Sequence, residues 1–178
     1  SMLSVAYLNE VVQHSSVPQA NDILGQLREQ IKKSLRQSGN SYTSRDGIDI
    51  AFVVYDKAGQ RLYFSGAHSP LYLIHNDELH IYKGDRMPVG QSRKERPFSI
   101  HEIRLHPGDR FYLFSDGYID QFGRQNKEKY KLHRFKQTLM DIYPKPMKEQ
   151  KEILSKNYFD WKGQTSQLDD ILVMGLKV

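Results

Sequence analysis

Apolar and polar positions alternate along this chain with three successive rhythms. Leu3–Val12 is an apolar-rich segment that starts without a capping residue, as a helix whose beginning has been cut away would. Pro18 sits where a first helical turn tolerates proline. Ala20, Ile23, Leu24, Leu27, Ile31 and Leu35 then recur at helical spacing, and Gly39 is placed to end the helix. From Ile48 the period changes. Ile48–Tyr55 reads as a strand buried at least partly on both faces, Asp56–Gln60 as a glycine-containing hairpin connection, and Leu62–Phe64 as the returning partner. Gly66–Pro70 interrupts, Leu71–Ile74 resumes, His75–Glu78 turns, and Leu79–Tyr82 continues an antiparallel meander. Gly84–Gly90 reads as an irregular loop, Phe98–Leu105 as an exposed alternating strand, and His106–Asp109 as a proline–glycine turn. That turn feeds the apolar, aromatic run of Arg110–Gly117, read as a buried strand ending on a carboxylate.

The third stretch returns to helices. Tyr118–Lys131 shows no regular pattern, after which Leu132, Phe135, Leu139 and Ile142 form a helical stripe. Pro144-Lys145-Pro146 ends that helix and starts another over Met147–Trp161, with Ile153, Leu154, Tyr158 and Trp161 on its inner face and Gly163 as its stop. Ile171–Val178 is the final strand. Helices, then antiparallel strands, then helices, with no internal repeat, predict a single α+β domain over residues 1–178, its helices packed on a sheet sandwich.

Composition narrows the chemistry. A length of 178 residues suffices for a real core, and a net charge of +5 with both signs mixed fits a soluble protein as well as one with an anionic ligand. The densest basic cluster, Arg93-Lys94-Glu95-Arg96, is short and broken by an acid, so a solvated loop is expected rather than a nucleic-acid surface. The absence of cysteine excludes disulfides and thiolate metal sites, and the seven histidines form no H-x-x-x-H pair. No apolar run approaches the roughly 20 residues of a membrane helix, and no signal peptide opens the chain. A cytoplasmic location is the default expectation.

Two places carry carboxylates beside apolar strands. Asp116 follows the Arg110 strand, and Asp169-Asp170 precedes the last one. If these strands pair, the carboxylates converge at one end of a sheet, and hard divalent cations select such oxygen ligands. A shared metal needs Asp116 and Asp169 within roughly 5 Å of each other. On spacing alone the plainer reading leads: Ser-Asp-Gly is a common turn and Asp169-Asp170 a solvated loop.

Five blocks in one order change that balance. They are Asp46–Ala51, Ser65–Leu73, Lys83–Gly90, Leu113-Phe114-Ser115-Asp116-Gly117 and Leu168-Asp169-Asp170-Ile171. Together they resemble the SpoIIE-type branch of the metal-dependent protein phosphatases (PPM, phosphatase 2C-like). The resemblance implies an α-β-β-α sandwich of mainly antiparallel sheets flanked by helices, with a two-metal site for Mg²⁺ or Mn²⁺. It implies that Asp116 and Asp169 are the catalytic metal ligands. Asp170 would orient a metal-bound water or close a turn, and Gly117 would allow the tight turn that aims Asp116.

One departure matters. The family's first motif, Asp-x-x-Gly-His-Gly, supplies the aspartate that bridges both metals, and no Gly-His-Gly occurs here. The expectation is an N-terminally trimmed domain without its leading strands; a natural pseudophosphatase is the other reading. The resemblance thus implies a serine/threonine phosphoprotein phosphatase of bacterial signal transduction. Its substrate would be a phosphorylated regulator, of anti-anti-sigma type in relatives, and an upstream sensor module could anchor the whole protein to a membrane. Residues 1–178 by themselves are expected to be inactive, to hold metal weakly or not at all, and to self-associate through uncovered sheet edge or helix faces. A non-catalytic signalling module is the alternative function, and a two-metal nuclease, argued from carboxylates alone, lacks a concentrated basic groove. His68 invites a general-acid role, but the glycines and prolines around it are explained by backbone turns.

Overall fold

In the computed structural model, residues 5–6, 8–10, 19–37, 47–92, 95–123 and 128–178 are described, with residues 35–37 as backbone alone. Residues 5–6 and 8–10 are helical, within the segment expected to be the first helix. Pro18, Gly39, Asp46, Arg93, Lys94 and the Leu35 side chain lie outside the described residues. The chain divides into two compact units, residues 1–71 with 82–105 and residues 72–81 with 106–178.

The first unit places helix α1 (Ala20–Gln37) on a three-stranded antiparallel sheet. Its order is β2 (Ile50–Asp56), β3 (Arg61–Ala67), β7 (His101–Arg104), in the registers Ile50↔Ala67 and Phe64↔His101. The predicted stripe is the buried one: Leu24, Leu27 and Ile31 pack with Ala67, Met87, Val89 and Phe98. Arg28 breaks the rule that charges face water. It is 6% exposed, with Nη1 donating to the Arg96 carbonyl at 2.9 Å and its guanidinium 4.0 Å from the Phe98 ring centre. Two expected boundaries shift. The strand foreseen over Ile48–Tyr55 divides at Asp49, and Gly47–Ile48 (β1) pairs instead with Val89–Gly90 (β6), inside the foreseen loop. Phe98–Leu105 yields a ladder only over His101–Arg104.

The loops quoted for the family resemblance dock on each other in this unit. Asp85 N–H donates to the Gly66 carbonyl and His68 N–H to the Asp85 carbonyl, both at 2.8 Å. The Asp85 carboxylate, 6% exposed, accepts from Ser99 N–H at 2.7 Å, Ser99 Oγ at 3.1 Å and Arg96 Nη2 at 2.9 Å. These motif residues hold backbone in place.

The second unit is a four-stranded sheet of order β5 (Glu78–Tyr82), β4 (Leu71–His75), β8 (Arg110–Phe114), β9 (Val173–Lys177). Its helices are α2 (Gly117–Asp120), α3 (Leu132–Ile142) and α4 (Met147–Lys162). Strand alternation puts Tyr72, Ile74, Tyr112 and Phe114 on one face, where Phe135, Leu139 and Ile142 of α3 and Leu154 and Tyr158 of α4 cover them. Phe135 and Leu139 are fully buried, each contributing about 1.5–3 kcal/mol. Buried phenols find partners: Tyr112 Oη donates to Gln150 Oε1 and Tyr118 Oη to the Leu154 carbonyl, both at 2.8 Å. Gln150 in turn donates to the carbonyls of Tyr143 and Lys145, tying the Pro-Lys-Pro corner to α4. Gly163 ends α4 with φ 53°, a conformation that favours glycine. Two expectations are corrected here. The patternless Tyr118–Lys131 stretch contains the end of α2 and a bridge between Phe122 and Lys129. The last strand starts at Val173 instead of Ile171.

Candidate metal centre

The site is built where β8 leaves the sheet. Phe114 pairs with Val173 as the last full ladder position, and Ser115 N–H still donates to the Leu172 carbonyl at 3.0 Å. The return bond is made by a side chain. Leu172 N–H donates to Ser115 Oγ at 2.9 Å, and that hydroxyl donates to the Asp170 carbonyl at 2.8 Å. With the hydroxyl standing in for a backbone acceptor, the chain turns out of the sheet. Asp116 takes helical dihedrals, φ −71° and ψ −19°, and α2 begins.

Asp116 stands at the N-cap of α2, where an aspartate usually accepts an N–H from the first turn. Its side chain makes no such bond, is exposed, and enters no ion pair among the described residues. Gly117 explains the apposition that follows. A Cβ there would lie 2.4 Å from the Asp170 carbonyl oxygen and 3.2 Å from that of Asp169, so the bare Cα rests on the backbone of both aspartates. The Ser-Asp-Gly turn and the Asp169-Asp170 turn, distant in sequence, are thus adjacent, as pairing of the two strands requires.

The second turn is pinned from both sides. Asp169 Oδ1 accepts the Asp170 N–H at 2.7 Å, and Gln167 Nε2 donates to the Asp169 carbonyl at 2.9 Å. Upstream, the fully buried Gln121 reaches the same loop. Its Nε2 donates to Thr165 Oγ1 at 3.1 Å and the Ser166 carbonyl at 2.9 Å, while its Oε1 accepts from Tyr158 Oη at 3.0 Å. Sequence reasoning passed over Gln121 and Ser115. No periodic signal marks a buried glutamine, but the serine stands in a motif already singled out. Beneath the turn, burial pushes the Tyr118 phenol well above its ordinary range and keeps it neutral. Beside Asp170 a cleft of about 860 Å³ opens between α4 and β9, lined by Lys151, Leu154 and Met174 among others.

The donors are carboxylate oxygens, the type hard divalent cations take. The uncapped Asp116 and the Gly117 cradle fit such an ion in kind. In number they fall short: among the described residues no three His, Cys, Asp or Glu side chains converge as a metal-holding group. His68 belongs to the first unit, in a turn with φ 57°, its Nδ1 2.9 Å from Asp49 Oδ1 on the surface.

The Stage II sporulation protein E (SpoIIE) family profile matches residues 1–178. The chain belongs to the SpoIIE family. Solved structures agree on the fold of this SpoIIE-family chain. The SiaA-PP2C domain of Pseudomonas aeruginosa is 26% identical with a TM-score of 0.88, over 99% of this chain and 68% of that one. The catalytic domain of the serine threonine protein phosphatase PstP, in complex with two manganese ions, is 16% identical with a TM-score of 0.64, over 98% of this chain and 78% of that one. The RsbU and RsbW domains of a Mycobacterium tuberculosis protein give 16% identity and a TM-score of 0.72, over 99% of this chain and 46% of that one. No curated protein matches the chain. The architecture, antiparallel sheets flanked by helices, is that of the PP2C-type phosphatase domains.

Proposed function

We propose that this SpoIIE-family chain is the phosphatase domain of a signalling protein, hydrolysing phosphoserine or phosphothreonine on a regulatory protein. The observation that supports it is the seating of Gly117 on the backbone of Asp169-Asp170, which makes the Ser-Asp-Gly turn and the Asp169-Asp170 turn neighbours. Asp116 and Asp169 would hold the cation, Mg²⁺ or Mn²⁺, and Asp170 would orient water next to it. A divalent cation supplies a water of lowered pKa and a clamp for phosphoryl oxygens. The chain needs no protein nucleophile for this. It has no cysteine.

Two carboxylates are too few for a two-metal centre, because Mg²⁺ sheds water reluctantly and wants an octahedral shell. Residues 1–178 by themselves therefore turn over negligibly and take up metal only from concentrated solution. They also associate: β9 is an edge of its sheet among the described residues, and Leu172, at 63% exposed, with Met174 and Leu176 leaves an apolar row in water. Sedimentation reads that association directly. The regulatory partner is of the anti-anti-sigma type, and a sensor module adjoins the domain in the longer protein. No helix among the described residues is long and apolar enough to cross a membrane, and we assign the domain to the cytoplasm.

A second reading, a non-catalytic signalling module of the same fold, is favoured by the lack of a three-residue metal-holding cluster among the described residues. Hydrolysis of a phosphoserine peptide in Mn²⁺ by residues 1–178, and by a longer chain that adds an Asp-x-x-Gly-His-Gly segment, separates the two. The phosphatase reading expects turnover by the longer chain alone. A silent longer chain overturns it in favour of the signalling module.

A further inference from the structure

We infer that two copies of this chain pair through β9, antiparallel about a two-fold axis at Met174, joining their four-stranded sheets into one; the inference rests on the association proposed above and names its surface. The edge is open to hydrogen bonding. Leu172 spends its backbone N–H and C=O on Ser115, and Val178 spends its own on Asp109 and Gly108, all on the β8 side. Backbone groups alternate in direction along a strand, so Met174 and Leu176 also face β8, and Val173, Gly175 and Lys177 aim theirs outward. No strand among the described residues pairs with that side. β9 also lacks the features that keep an edge solitary. It has no proline, and Lys177 is its single charge. Leu172, Met174 and Leu176 share one face and are 63%, 39% and 36% exposed. Other edges are guarded or covered: β5 carries Glu78 and His80, β7 carries Glu102 and Arg104, and β2 keeps Ile50–Val54 half-buried.

Charge sets the direction and length sets the register. β9 begins beside Asp169-Asp170 and ends on Lys177. Antiparallel pairing therefore lays the lysine end of each strand along the aspartate end of the other, whereas parallel pairing lays like charges together. Met174 is the midpoint of Ile171–Lys177, and an axis there pairs the whole run. Ile171 meets Lys177 of the second copy, Leu172 meets Leu176, Val173 meets Gly175, and Met174 meets itself. The exposed leucines and methionine of both copies then form one apolar strip. The added strand also roofs the cleft of about 860 Å³ between α4 and β9, whose lining includes Ile171, Val173 and Gly175. A two-fold pair consumes both β9 edges, so this assembly stops at two copies.

The test combines sedimentation of the 178-residue chain with single-cysteine variants, since the chain has no cysteine of its own. Across the inferred interface the two Met174 residues form a non-hydrogen-bonded pair, with Cα atoms about 4.5 Å apart, within reach of a disulfide. Under mild oxidation with diamide, Met174→Cys is expected to give a covalent dimer. Leu176→Cys alone should stay uncrosslinked, because it lies opposite Leu172, and an equal mixture of Leu172→Cys and Leu176→Cys chains should give the covalent heterodimer. These side chains are exposed, so the substitutions spare the fold. A wild-type dimer whose Met174→Cys variant crosslinks no faster than Leu176→Cys overturns the inference and leaves the association to another surface. A wild-type chain that sediments as a monomer at every loading concentration overturns the association itself, and with it the inference. The wild-type run tells the two failures apart.

Discussion

The two ends of β8 carry one aspartate each, and the protein treats them in opposite ways. Asp109, at the entry, is 4% exposed. One of its carboxylate oxygens lies 2.7 Å from His75 Nδ1, and the other accepts the His106 N–H at 2.8 Å. Asp116, at the exit, is exposed and caps nothing, although it stands where capping is expected. Both follow or precede the same apolar strand, and both sit beside a glycine in sequence. Asp109 has both oxygens engaged by protein partners, whereas Asp116 makes no cap bond and enters no ion pair among the described residues, so more of its lone pairs are open to a ligand. Burial and partners, more than residue type, separate the structural aspartate from the candidate functional one.

Substitution at the two ends should split activity from stability. In a longer chain that turns over phosphopeptide, Asp116→Asn is expected to lower metal-dependent kcat/KM by at least about 100-fold, the several kcal/mol that a bound cation supplies. Its melting temperature should stay close to the wild type, because the exposed side chain makes no cap bond and enters no ion pair among the described residues. Asp169→Asn should match it in activity. A large loss of stability without loss of turnover would invert the assignment of the two ends.

Asp109→Ala is the complementary variant. It removes the partner of the half-buried His75 ring and of the His106 N–H, and a loss of about 0.5–1.5 kcal/mol is expected in urea unfolding. Mn²⁺ uptake at the other end of the strand should be unaffected. An Asp109→Ala chain as stable as the wild type would show that the hydrogen bonds at the entry are as dispensable as those absent from the exit.

How much of this contrast the sequence announces depends on whether a signal is local. The stripe of Leu132, Phe135, Leu139 and Ile142 and the Pro-Lys-Pro break define α3 and α4 almost to the residue, because helical packing recurs within a few positions. The pairing of the two strands, which brings Gly117 onto the backbone of Asp169-Asp170, is also legible, since two apolar runs flanked by carboxylates imply an antiparallel pair. What escapes is set by distant partners. The break at Asp49 arises because Gly47–Ile48 pairs with Val89–Gly90. α2 is four residues long, too short for a period to show. The strand begins at Val173 because a serine hydroxyl has taken the Leu172 N–H out of the ladder. Arg28 and Gln121, both buried, read as surface residues in any polar–apolar pattern.

Between its two ends β8 places Tyr112 opposite Tyr72, and burial pushes both phenols up to about 12 from the ordinary 10.0. The folded state keeps these protons more tightly than the unfolded chain. Their contribution to stability is therefore whole below pH 10 and is lost as pH rises through 10 toward 12. Urea midpoints should be flat up to about pH 10 and fall steadily above it, together with the rise of phenolate absorbance. Early phenolate absorbance from these two residues in the folded protein, near pH 10, would show that the strand's centre is less sealed than its packing against α3 and α4 implies.

The smallest effect is expected at the other aspartate–histidine pair. His68 Nδ1 lies 2.9 Å from Asp49 Oδ1, much as His75 lies against Asp109, but both partners are open to water, at 43% and 57% side-chain exposure against 28% and 4%. An exposed ion pair is screened and holds two mobile side chains, so it contributes about 0–1 kcal/mol at most. The backbone does the holding at this turn: His68 N–H donates to the Asp85 carbonyl at 2.8 Å, and that bond survives any change of side chain. The residue also sits at φ 57°, where a Cβ is disfavoured whatever side chain carries it, so exchanging His for Ala leaves that cost unchanged. His68→Ala in an active longer chain should therefore leave both melting temperature and kcat nearly as they were. A general acid at this position would instead cost about 100-fold or more in kcat and flatten the pH–rate profile on its alkaline side. That outcome would place an exposed histidine in the chemistry and remove burial and partner count as the marker that separates the two ends of β8.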